Sequence, residues 1–121
     1  MVSDTRAPDT LWMSAPRFAV ELIAWIAAPW ALASRSVLLA IAAVVLLIGI
    51  PTLFGTPGGK TQRPIVAIPG GLSIVVELLQ PAVAIIASWA AWPPAVAAVV
   101  TVAAVVACYL QLPRWRWLAD H

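Results

Sequence analysis

Two glutamates, Glu21 and Glu77, stand inside long apolar runs, Phe18-Ala19-Val20-Glu21-Leu22-Ile23 and Ile74-Val75-Val76-Glu77-Leu78-Leu79. A carboxylate inside a membrane span is costly and usually has a reason, such as proton or cation binding. Arg17 lies four residues before Glu21, on the same face of a helix, so a local ion pair is within reach. Glu77 has Ser73 four residues before it and Gln80 three after it. With no base nearby, it is the carboxylate expected to need a proton or a cation. Glu21, Glu77 and Gln80 are therefore the candidate proton- or cation-binding residues, and Arg17 the candidate ion-pair partner. The plainer reading of Glu21 is a paired or snorkelling carboxylate that fixes the rotation of its helix.

Other chemistry finds little support. Cys108 is the single cysteine, so neither an intrachain disulfide nor a cysteine-rich metal site is expected. The one histidine is the terminal His121, and no catalytic triad can be assembled. Gly55-Thr56-Pro57-Gly58-Gly59-Lys60-Thr61 looks like a P-loop but has one residue too few before Gly-Lys-Thr. It follows a helix where a strand is required, and Pro64 interrupts the helix that should cap the phosphate. No nucleotide, metal or other cofactor is expected.

These residues need elements to position them, and the elements are membrane helices. Of 121 residues, 63% are hydrophobic and 10% charged, with net charge +2. Ordinary soluble domains are about a quarter charged, and a chain this small has too little interior for so much apolar surface. Lipid must act as its solvent. The reading is an all-α membrane protein with helices at about 15–33, 37–54, 71–90 and 93–112. A segment 1–14 precedes them, a loop 55–70 joins the second to the third, and a tail 113–121 follows. Ser14 is the expected cap of the first helix, with Pro16 in its first turn. About 19 residues at 1.5 Å each give roughly 28 Å, enough to cross the hydrocarbon core. Gly55 to Gly59 stop the second helix, Pro93 opens the fourth and Pro113 closes it. Ala31-Leu32-Ala33 resembles a signal-peptide cleavage site, but Glu21 inside the run, Asp4 and Asp9 before it, and Pro29 and Trp30 beside it favour a mature span.

Basic residues set the expected orientation. Arg6, Arg17, Lys60, Arg63, Arg114 and Arg116 fall on one side of a four-pass chain and only Arg35 on the other. Both termini and the loop 55–70 are therefore expected in the cytoplasm. Trp12, Trp115 and Trp117 would flank that side, and Trp30, Trp89 and Trp92 the opposite one. The tail Pro113-Arg114-Trp115-Arg116-Trp117 reads as an interfacial anchor to anionic lipid, not as a nucleic-acid-binding segment. Ile65 to Ile68 reads as a short extended piece along the interface. Thr52, Cys108, Tyr109 and Gln111 fall at the level of the glutamates and could complete a polar pocket.

A shift of 56 residues lays Val20-Glu21-Leu22 on Val76-Glu77-Leu78, and Ser34 to Ser36 on Ala90 to Trp92. This weak internal repeat implies two tandem helical hairpins of like orientation, with both glutamates at equal depth and facing inward. Small residues four apart, as in Ala24/Ala28, Ala27/Ala31, Ala84/Ser88, Ala97/Thr101 and Ala103/Ala107, allow close helix approach.

Arg17 to Leu22, then Pro51 to Phe54 with Gly55-Thr56-Pro57-Gly58, then the second Glu-Leu pair, resemble the YrdB family of small bacterial four-helix membrane proteins. The likeness runs from about Arg17 to Leu112 and implies four spans in a bacterial cytoplasmic membrane, with no activity attached. The small multidrug resistance transporters are similar in length, span count and a first-helix glutamate, but lack the second. The leading functional reading is a non-enzymatic accessory or interaction subunit, partnered by the lipid bilayer and by a larger membrane complex. The alternative is a small proton-coupled transporter or channel, working as a homodimer through Glu21 and Glu77. An enzyme acting on lipid comes third.

Overall fold

The computed structural model describes residues 10–58 and 64–121. Arg6, Lys60, Arg63 and the Gly59-Lys60-Thr61 triplet of the P-loop-like segment lie outside the described residues. The chain is helical almost throughout, as its apolar runs require: α1 Leu11–Ala33, α2 Val37–Leu53, α3 Gly70–Ala91, α4 Pro94–Leu110 and α5 Leu112–Ala119. By length and composition α1 and α3 are long and apolar enough to cross a membrane. Taking α4 with α5 as one span bent by 51° makes a third, while α2 is a shorter apolar helix of 17 residues.

α1 and α3 form the central pair. α2 flanks α1, α4 packs on α3 and reaches α1, and α5 folds back onto α3. Small residues make the interface. Ala24, Ala27 and Ala28 of α1, Ala84 and Ala87 of α3, and Ala104 and Ala107 of α4 are all buried in one cluster. Their spacing of three and four residues is that of one helix face, and the absence of bulk lets the backbones approach closely. The outer surface is apolar: Leu38, Ile41, Val45, Ile86, Val99 and Val102 are all exposed. α2 carries no charge and buries only Ala40 and Leu47, so apolar surface surrounds it on nearly every side. Such a helix belongs in lipid or in a core.

The hairpin repeat appears at the level of whole elements. Displaced by 56 residues, α1 and α2 begin and end within one to three residues of α3 and α4. The turns α1–α2 and α3–α4 lie at the same end, where Trp30 and Trp92 meet edge to face with centroids 5.9 Å apart.

Three expectations require correction. First, α1 begins at Leu11 rather than near Ala15; Thr10 takes the cap position without a capping hydrogen bond, and Ser14 is inside the helix. Tertiary contact draws in the extra turn, since Met13 is buried and its carbonyl accepts from Gln111 Nε2 at 2.7 Å. Second, residues 113–121 are not a lipid-facing tail. Pro113 stands in the first turn of α5, where its missing N–H is tolerated, and the chain bends there without leaving the bundle. Arg114 and Leu118, one turn apart, are both buried against α3. Gly70, in the first turn of α3, allows this: a Cβ there would overlap the Leu118 carbonyl. Third, the segment around Ile65 to Ile68 is paired rather than free. Val66–Ala67 forms a two-residue parallel ladder with Phe54–Gly55. Below it, Thr56 Oγ1 donates to the Ile68 carbonyl at 2.8 Å and meets Ser73 Oγ at 2.7 Å.

Candidate functional site

The polar residues of the bundle gather at the end opposite the two hairpin turns. The start of α1 brings Arg17 and Glu21, the end of α2 brings Pro51, and α3 brings Glu77, Gln80 and Pro81. The α4–α5 bend adds Cys108, Gln111 and Trp115. Together they line one pocket with about 30 Å³ of internal space. A water needs about 10–15 Å³ by this measure, so the pocket is sized for one or two waters or a small ion.

Glu77 is not left without a cation. The Arg114 guanidinium donates to Glu77 Oε1, and the Trp115 indole N–H donates to the same oxygen at 3.2 Å. The Arg114 side chain is 1% exposed and that of Glu77 10%. The expectation of an uncompensated Glu77 fails because it considered only neighbours along the helix, whereas the partner lies 37 residues further on. Removal of two such charges from water is offset only when they are paired and hydrogen-bonded.

Glu21 meets Arg17 as expected, with Nε 3.9 Å from Oε1 in a contact about three-quarters buried. Arg17 also donates through a terminal nitrogen to Gln111 Oε1 at 2.9 Å, while Gln111 Nε2 donates to the Met13 carbonyl. Gln111 thus ties the first turns of α1 to the α4–α5 bend, in a buried position where its amide has both a donor and an acceptor to satisfy.

Gln80 has a different task. Pro51 has no N–H, so the carbonyl of Leu47, four residues earlier, loses its helical partner. Gln80 Nε2 supplies one across the α2–α3 interface at 2.5 Å. That contact also fixes the amide orientation, and it leaves Gln80 Oε1 buried with no hydrogen-bond partner among the described residues. Gln80→Leu keeps the volume but strands the Leu47 carbonyl, which should lower stability by about 1–3 kcal/mol. Adding Pro51→Ala restores an N–H within α2 and should recover most of the loss. Unfolding midpoints in detergent check both; an additive double variant would refute the Pro51–Gln80 coupling.

Of the predicted residues, the structure brings Arg17, Glu21, Glu77 and Gln80 to one pocket, together with Cys108 and Gln111. Tyr109 faces outward at 71% exposure, and the Thr52 hydroxyl turns back to the Ile48 carbonyl at 2.6 Å. Neither belongs to the pocket. Arg114 and Trp115 are the residues that sequence reasoning missed. The signal was present in the four-residue spacing of Arg114 and Leu118, which places both on one face of a helix. No groups of three or more His, Cys, Asp or Glu suited to a metal ion occur among the described residues.

Fold and site together define an all-helical protein with apolar helices of membrane-spanning length and a polar cluster at one end. No family model, curated protein or solved structure matches the chain.

Proposed function

We propose that this chain is a non-enzymatic, four-pass protein of a bacterial cytoplasmic membrane, serving as an accessory or interaction subunit of a larger assembly. The observation that carries the reading is the pairing of each span glutamate with an arginine, Glu77 with Arg114 and Glu21 with Arg17. Paired carboxylates brace helices against one another; a carboxylate that exchanges protons must be released from its partner in each cycle. The apolar outer surface supports burial in lipid. α2, at about 26 Å for 17 residues, is near the thickness of a thin hydrocarbon core. The six-to-one distribution of basic residues supports cytoplasmic termini. Kinship with the YrdB family belongs to the same proposal and rests on the motifs between Arg17 and Gly58.

A proton-coupled transporter or channel is the second reading. It is favoured by the convergence of Glu21, Glu77 and the unpartnered Gln80 Oε1 on one pocket. Proteoliposomes decide between the two. On the accessory reading, an imposed proton gradient is dissipated no faster than in empty vesicles, and Glu21→Gln changes stability or partner recovery but not flux. Proton flux well above the empty-vesicle rate that disappears in a folded Glu21→Gln variant would overturn it. Recovery of a defined partner in mild detergent would then identify the assembly.

A further inference from the structure

A second cavity, of about 180 Å³, adjoins the first and shares Glu21 and Pro51 with it. It runs between α1 and α2, from Gly55, Thr56 and Pro64 at the connecting loop down to Trp25, Leu47 and Ile48. Its walls are graded in chemistry. Glu21 lies towards the loop, and Trp25 stands one helical turn, about 6 Å, deeper. The Trp25 indole N–H is buried and has no acceptor among the described residues, a costly state for a donor. Phe18 holds that ring edge to face at 6.1 Å, which keeps the N–H in place. Beyond it come Leu47 and Ile48, continuous with the exposed apolar face of α2 at Ile41 and Val45.

We infer that this cavity binds the headgroup of a phospholipid that carries a primary ammonium. The ammonium meets Glu21, a phosphate oxygen accepts from Trp25 Nε1, and the acyl chains lie along the outer face of α2. The inference rests on the proposed membrane reading, in which the loop end of the bundle faces a leaflet. Three features select this ligand. The cavity orders a carboxylate, a lone buried N–H and an apolar wall in the sequence in which such a lipid orders its ammonium, phosphate and chains. A carboxylate offers about four acceptor positions, so the Arg17 contact does not exhaust Glu21. An anionic headgroup lacking the ammonium would bring like charge to Glu21, which is how a site rejects the wrong partner.

Native mass spectrometry of the detergent-purified protein tests this with three probes: phosphatidylethanolamine, phosphatidylglycerol and free phosphoethanolamine. The expected result is one retained phosphatidylethanolamine, bound at least about tenfold more tightly than phosphatidylglycerol, with phosphoethanolamine weaker still. Glu21→Gln and Trp25→Phe should each weaken that retention by about tenfold, the loss of one charge-assisted hydrogen bond. Trp25→Phe keeps the ring and the packing, so it remains informative if Glu21→Gln is poorly folded. Equal retention of the two lipids, or a Trp25→Phe variant indistinguishable from wild type, would overturn the inference while leaving the membrane reading intact. Binding of phosphoethanolamine as tight as that of the lipid would assign the cavity to a free solute and overturn it too. Recovery of the chain outside the membrane fraction would instead fail the reading beneath it.

Discussion

Arg114→Met should be the most damaging single substitution in this chain, lowering stability by about 3–5 kcal/mol, because it leaves a buried carboxylate without its cation. Methionine fills much of the space of the arginine stem, so the loss is that of charge and hydrogen bonding more than of volume. Trp115 alone would then face Glu77, with a single neutral donor at 3.2 Å. The pair, not either member, is the unit of stability. Glu77→Leu alone should also be damaging, since it strands the guanidinium at 1% exposure. The double variant Glu77→Leu/Arg114→Met should recover most of the loss, as buried ion pairs replaced together by apolar groups often do. Unfolding midpoints of the three variants in one detergent measure the coupling. An Arg114→Met protein within about 1 kcal/mol of wild type would mean that α5 does not neutralise Glu77 in the membrane.

Gly70→Ala should come next, with a loss of about 3 kcal/mol at the upper end of what overpacking costs. The added methyl meets backbone, the Leu118 carbonyl, and backbone cannot turn aside as a side-chain tip does. Either α3 shifts at its first turn or α5 lifts away, and both withdraw Arg114 from Glu77. Gly71→Ala is the internal control. A Cβ at Gly71 meets nothing within 4 Å, so that change should be neutral or stabilising by up to about 1 kcal/mol through helix propensity. Limited trypsin digestion distinguishes the two. Arg114 is buried in the native fold, and cleavage after it should appear rapidly in Gly70→Ala and remain slow in Gly71→Ala. Equal cleavage in the two variants would show that α5 is not seated on Gly70.

The helices were legible because their signals are local. Apolar runs ended by glycine and proline placed α2 and α3 to within a residue, and the offset of 56 residues carried one hairpin onto the other. The ridges of alanine were legible too, since spacing alone puts Ala24 with Ala28 and Ala84 with Ser88 on buried faces. The polar cluster was only half visible. Arg17 and Glu21 share a helix face and could be paired from spacing, but Glu77 and Arg114 belong to different helices. Nothing in the periodicity of α3 points to α5. Arg114 also had a sufficient explanation as a topological charge, which hid its burial. Gln80 was singled out for its position beside Glu77, while its work on the Leu47 carbonyl depends on Pro51, a residue in another helix. Pairings across elements are tertiary facts, and short-range patterning does not contain them.

The distance along the chain between Glu77 and Arg114 has a consequence for synthesis. A chain made and inserted from its N-terminus delivers α3 before α5 exists. At about 5–20 residues per second, the 37 intervening positions take roughly 2–7 s. For that interval Glu77 lacks the guanidinium that completes it, in an environment where a lone carboxylate is expensive. A message cut short after α4 would yield a protein with every long helix present and one charge permanently unanswered. α5 is then the last piece of the bundle and also its proof of completion, a feature that membrane quality control could read directly as the difference between a finished chain and a broken one.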